Sequence, residues 1–227
     1  MLIDCGESID RSYKVSGLSY DAIDAIILSH LHSDHVGGFF MFMQGMWLEA
    51  RRKPLTVHLP GKGIKPLRQM LDMVFLFEEV LPFRLQLLPL QSQSPIRVRD
   101  VRVTPFRTTH LDRTRAQFAK KYRSDFSAYC FLIEHKGVRI GHSADLGKPS
   151  DLDALTAERL DLLICELSHF TTDDIFSYLR NRPIKQIAFV HIARAYRQDL
   201  PALRRLARKE IPNIRCLFPN DGDGLIF

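Results

Sequence analysis

Positions 30 to 35 carry His30, His32, Asp34 and His35, three imidazoles and a carboxylate placed directly after an apolar run and just ahead of Gly37-Gly38. Side chains of these types at this density suit a cation and not a core. In extended backbone, residues two apart point to the same side, so His30 and His32 can grip one ion together. Asp34 and His35 fall where the chain must turn, which lets their side chains diverge towards a second ion. Imidazole and carboxylate without thiolate suit Zn²⁺ best, with Mn²⁺ or Fe less favoured.

The motif needs elements to hold it. Ala25 to Leu28 is the predicted strand that delivers it, and Ser8 to Gly17 is a short predicted helix ahead of it. After the glycines, Phe39 to Arg52 carries Phe39, Phe40, Phe42, Met43, Met46 and Trp47 on overlapping helical faces, a packing pattern. Leu55 to Leu59 reads as a strand and Ile64 to Phe77 as a helix, with His58 left unassigned. Phe83 to Leu88 and Ile96 to Phe106 read as strands, and the second leads into Thr108-Thr109-His110. The polar and basic stretch from Leu111 to Ser124 reads as a mobile loop. Phe126 to Glu134 and Val138 to His142, joined by Lys136-Gly137, form a predicted hairpin that runs on to Asp145. Leu160 to Cys165 and Gln186 to Val190 are apolar enough for buried strands, and the second ends at His191. Asp173 to Arg180 and Leu200 to Lys209 read as helices, while Ile214 to Phe218 and Leu225 to Phe227 complete the strands.

His110, Asp145 and His191 each have a plain structural reading alone, as a strand-end histidine or a turn or helix-capping aspartate. Taken together they place three further donors at predicted strand exits.

Composition narrows the class. At 227 residues with 45% hydrophobic content, the chain can bury a substantial core, and no Pro/Gly/Ser-rich linker divides it, so a single domain over 1–227 is expected. Its longest apolar runs are far too short for a membrane span, and no signal segment opens it. Cys5, Cys130, Cys165 and Cys216 are scattered without a C-x-x-C pair, which argues for a reducing cytoplasm and against a disulfide scaffold. The net charge of +6, with clusters at Arg51-Arg52-Lys53, Arg113 to Arg123 and Arg204 to Lys209, suits a phosphate-bearing partner or a simple solvated surface. No aromatic-interleaved RNA-binding sequence is present.

The order His-x-His-x-Asp-His, then a lone His, an Asp and a last His resembles the metallo-β-lactamase superfamily. Leu2-Ile3-Asp4-Cys5-Gly6-Glu7, Ser29 to Gly38, Arg139 to Gly147 and Val190 to Tyr196 are most similar to its ribonuclease Z-like and phosphodiesterase members, over nearly the whole chain. The resemblance implies an α/β fold, a four-layer αββα sandwich with the metal site at one edge of its two sheets. It implies that His30, His32 and His110 bind one cation, that Asp34, His35 and His191 bind the other, and that Asp145 bridges them. Asp4 and Glu166 would orient ligands, and Asp34 and His169 would take direct part in catalysis.

Three departures accompany the likeness. The family's usual first strand has no counterpart ahead of Leu2, so either the sequence begins late or that strand is dispensable; if it is needed, the first sheet is expected to have an open edge that could favour pairing of two copies. The tRNA-gripping arm of ribonuclease Z has no room between His110 and Asp145. The His-Glu-Ala-Thr segment reads Cys165-Glu166-Leu167-Ser168, so its histidine is lost, and His169 is either the substitute proton donor or a structural histidine after the strand.

The implied chemistry is hydrolysis by a water ionised between two Zn²⁺ ions. The expected substrate is a phosphodiester, as a small nucleotide or RNA. The rival substrate is a lactone, thioester or other carbonyl compound, and the rival class is a non-catalytic metal-binding relative. No Ser-His-Asp or G-x-S-x-G arrangement supplies a side-chain nucleophile.

Overall fold

The structure, a computed structural model, describes residues 1–225. The chain divides into two compact units: residues 1–91 with 114–128, and residues 92–113 with the remainder from 129 onward.

The first unit runs β1 (Leu2–Ile3), α1 (Ile9–Val15), β2 (Ala25–Ile27), α2 (Ser33–Val36), α3 (Phe39–Leu48), β3 (Leu55–Pro60), α4 (Ile64–Met73) and β4 (Leu85–Leu90). Its four strands are parallel in the order β1-β2-β3-β4. Parallel neighbours require crossover connections, which the intervening helices supply. Strand β2 is buried at every position, as expected for a continuous Ala-Ile-Ile run inside a parallel sheet. Ile26 and Leu28 share one core with Phe39, Phe42, Met43 and Met46 of α3 and with Leu55, Val57 and Leu59 of β3. The methionine-aromatic stripe is therefore packing at Phe39, Phe42, Met43 and Met46, with Phe40 partly buried against it, whereas Trp47 is exposed and does not join the core.

Two glycines let the first turn of the chain lie directly on the histidine-rich turn. A Cβ on Gly6 would overlap the carbonyl of Asp34, and one on Gly38 would overlap the carbonyl of Gly6. The close approach is sealed by the Cys5 amide donating to the His35 carbonyl at 2.7 Å and the Gly38 amide donating to the Cys5 carbonyl at 3.0 Å. Arg51 is 1% exposed and donates to the carbonyls of Tyr20, Ile23 and Pro54. Its guanidinium is a buried brace, which removes it from the basic cluster that the sequence offered to phosphates.

The second unit holds β5 (Ile96–Val98) and β6 (Val101–Thr108). From β6 the chain leaves through α5 (Asp112–Phe118), then returns as β7 (Ala128–His135) and β8 (Val138–His142). β9 (Leu162–Leu167), α6 (Thr172–Leu179), β10 (Gln186–Ile192), α7 (Arg194–Arg197), α8 (Leu200–Glu210) and β11 (Arg215–Leu217) follow. The sheet order is β11-β10-β9-β8-β7-β6-β5. Hairpins β5–β6 and β7–β8 are antiparallel, whereas β8 to β11 pair in parallel. Leu163, Cys165, Phe176, Leu179, Ile187, Phe189, Leu203 and Ala207 fill a core in which α6 and α8 contribute their apolar faces.

Two expectations are corrected. Residues 111–124 are not a uniform loop, because Asp112–Phe118 is helical; that helix buries no residue, so no apolar period marked it. The span from Ile96 to Phe106 is two strands, folded at Arg99 and Asp100, with Arg99 in the left-handed region at φ 56°. Smaller shifts end α3 at Leu48 and α4 at Met73. Leu225 is not in a strand, and the rest of the expected strand Leu225 to Phe227 lies outside the described residues. Among the described residues, no helix is long and apolar enough to cross a membrane.

Candidate functional site

In the first unit, the side chains of the histidine-rich turn converge on one another and on Asp4. His30 and His32 follow the end of β2, and their Nε2 and Nδ1 atoms stand 3.0 Å apart. Asp34 and His35 belong to the one-turn helix α2, where His35 Nε2 lies 3.6 Å from Asp34 Oδ2. Asp4, at the end of β1, accepts from Ser29 N–H at 2.6 Å and from the Ser29 hydroxyl at 2.8 Å. Its Oδ2 also lies 2.7 Å from His35 Nδ1. A carboxylate can only accept, so this contact places the proton on Nδ1 and turns the lone pair of Nε2 outward, the arrangement that prepares a histidine for a metal. His30 is fully buried, with the Ser29 hydroxyl 3.1 Å from its Nδ1. Ser29 thus touches Asp4 and two of the candidate ligands, a role that no residue-type signal announces.

In the second unit, the equivalent focus is Asp145, which is 2% exposed. Its Oδ1 lies 3.0 Å from His191 Nδ1, while Oδ2 lies 3.6 Å from His110 Nε2 and 3.8 Å from His169 Nε2. Two strand exits and one strand interior supply this ring, His191 lying within its strand and not at the exit the sequence suggests. His110 follows β6, Asp145 follows β8, and His191 sits inside β10 at φ 45°, where the register with β9 slips. Left-handed backbone costs a β-type residue energy and re-aims its side chain, as at Asp4 (φ 60°) and at Ala144 (φ 45°) beside Asp145.

Glu166, the other carboxylate of this cluster, is 1% exposed and accepts from the backbone N–H groups of Leu146 at 2.7 Å, Ser168 at 3.2 Å and His169 at 3.1 Å. It also holds His169 Nδ1 at 2.7 Å. The imidazole is thereby pinned with Nε2 towards Asp145, and Asp145, Glu166 and His169 offer donor atoms within 4.8 Å of one another. The Ser143 hydroxyl, unmarked in the sequence, takes the Glu166 amide at 2.9 Å.

The donor set fits a hard or borderline divalent ion. A buried carboxylate ringed by imidazoles needs compensating positive charge, and nitrogen and oxygen atoms are the ligands that Zn²⁺, Mn²⁺ and Fe²⁺ accept. The cysteines do not join in. Burial, then the Asp4 charge, pushes the Cys5 thiol up to about 12, and burial with Glu166 beside it raises Cys165 further. Both thiols stay protonated at neutral pH. Burial lowers the pKa of His58, half-buried in β3, below the ordinary imidazole value.

The comparisons follow the same lines. The family described as Anti-Pycsar protein Apyc1 matches residues 1–181. The chain belongs to that family. Within the Apyc1 family, a protein of that name from Paenibacillus harenae is 42% identical over 24% of this chain and 23% of its own length. A ribonuclease Z from Metallosphaera sedula is 23% identical over 93% of this chain and 84% of that protein. Among solved structures, the metallo-β-lactamase fold protein YhfI from Bacillus subtilis superposes with a TM-score of 0.73 at 17% identity, covering 97% of this chain and 84% of the other. This Apyc1-family chain is a ribonuclease Z-like member of the metallo-β-lactamase superfamily, with its mixed α/β fold of two sheets, and is a metal-dependent hydrolase.

Proposed function

We propose that the protein is a dinuclear zinc hydrolase of phosphodiesters, acting on a small nucleotide or an RNA-type substrate as one hydrolase domain. The observation that carries this reading is the pairing of two imidazoles with carboxylates that orient them: Asp4 on the candidate ligand His35 in one unit, and Glu166 on the candidate proton donor His169 beside Asp145 in the other. In the proposed arrangement His30, His32 and His110 hold one cation, Asp34, His35 and His191 hold the second, and Asp145 touches both. When bound, the cations supply Lewis acidity and lower the pKa of a water to near neutrality.

The remaining steps fall to the chain itself. Asp145 would offset the charge of the two dications and so lower the cost of bringing them together. Asp34, 60% exposed at its side chain on α2, can hold the attacking water. His169, held by Glu166, delivers a proton to the leaving oxygen from Nε2. Similarity to proteins named ribonuclease Z favours phosphorus over a carbonyl carbon as the electrophile.

A hydrolysis panel on the zinc-loaded protein checks this. Bis(p-nitrophenyl) phosphate and nucleotide phosphodiesters are expected to turn over, while lactones and thioesters are not. Cleavage confined to the carbonyl compounds would move the protein to the rival chemistry. Zinc binding without turnover of any substrate would support a non-catalytic relative.

A further inference from the structure

Two of the candidate ligands in the second unit are stitched together by a residue outside the candidate ligand set. His110 and Asp145 stand on separate loops, one after β6 and one after β8, and their side chains come within 3.6 Å. Asp151, on the short 3-10 turn Pro149–Leu152, reaches both loops with one carboxylate. It accepts from the Thr109 N–H at 2.9 Å and from the Thr109 hydroxyl at 2.9 and 3.1 Å. It also accepts from the Gly147 N–H at 2.9 Å and the Lys148 N–H at 3.3 Å.

The backbones are in contact at this point, since a Cβ on Gly147 would overlap the backbone and hydroxyl of Thr109. On the neighbouring residue, the Thr108 hydroxyl donates to the Asp145 carbonyl at 3.0 Å. The turn that carries Asp151 is itself anchored by Leu152 and Leu155, both fully buried.

Capping its own turn would need only the Lys148 and Gly147 amides. The bonds to Thr109, 42 residues back along the chain, are surplus to that task and fall on the residue next to His110. From this we infer that Asp151 is a positioning residue for the metal centre: it fixes the spacing of the His110 and Asp145 loops, and so the geometry in which those two side chains meet a shared cation. The inference rests on the proposed function, because it gives His110 and Asp145 a common ion. Sites in which ligands are held by outer hydrogen bonds lose affinity when those bonds are removed, typically by about 10- to 100-fold.

The test is zinc affinity of the full chain, read by competition with a chromophoric chelator, with thermal unfolding of the metal-free protein followed in parallel. Asp151→Asn keeps the shape but turns one acceptor into a donor facing N–H groups, and is expected to weaken zinc binding roughly 10- to 100-fold. Thr109→Val removes only the hydroxyl and should weaken binding in the same direction by less. Asp153→Asn, on the same turn but bonded to Tyr178 and Arg182, should leave affinity unchanged. Wild-type zinc affinity in both Asp151→Asn and Thr109→Val overturns the inference, even if the unfolding temperature falls. An unmutated protein that binds no zinc overturns the proposed function as well, and the two failures are thereby told apart.

Discussion

Asp145→Ala is expected to lower kcat/KM for a phosphodiester by at least ~10³-fold, because the Lewis acid contribution of a bound metal is several kcal/mol of barrier and about 1.4 kcal/mol corresponds to each factor of ten. The residue is 2% exposed and faces His110, His169 and His191 at 3.0 to 3.8 Å. Its removal leaves three imidazoles around a hole with no negative charge to hold a cation among them. Zinc content should fall together with activity. Asp145→Asn is a sharper variant, since it keeps the volume and loses the charge, and it should fail almost as completely. Retention of wild-type turnover by either variant, with zinc still bound, would exclude Asp145 as a ligand.

His169 carries the second large effect. A general acid contributes about 10²- to 10⁴-fold where the leaving group is a poor one. His169→Gln is therefore expected to slow hydrolysis of an unactivated nucleotide phosphodiester by that factor. Hydrolysis of bis(p-nitrophenyl) phosphate should slow far less, because p-nitrophenolate leaves without a proton. Equal slowing of both substrates would assign His169 to structure or to metal binding instead. Glu166→Gln should reproduce the pattern in weaker form, since Glu166 holds His169 Nδ1 at 2.7 Å and acts only through it.

Much of the architecture is visible in residue order because buried parallel strands read as unbroken apolar runs. Ala25 to Leu28, Leu55 to Leu59 and Gln186 to Val190 all fall in strands or at their ends for that reason. The candidate donors are legible too, since His30, His32, Asp34 and His35 crowd a single turn. What the residue types do not carry is orientation. Nothing about Ser29 or Ser143 distinguishes them from any surface serine, yet their hydroxyls hold Asp4 and the Glu166 amide. Helix α5 was hidden because a helix with no buried residue leaves no apolar period. The turn at Arg99 and Asp100 was hidden because an arginine at φ 56° gives none of the glycine or asparagine signal that usually marks left-handed backbone. The slip in β10 at His191 is of the same kind: a local change of register that re-aims one side chain while the flanking pattern stays that of an ordinary strand.

The most direct measurement is an anomalous difference map, collected at the zinc edge from a crystal of the zinc-loaded protein. Two peaks per chain are expected, about 3.5 to 4 Å apart. One should be ligated by His30, His32 and His110, the other by Asp34, His35 and His191, with Asp145 touching both. A single peak, or peaks to which His110, Asp145 and His191 contribute nothing, would contradict this arrangement.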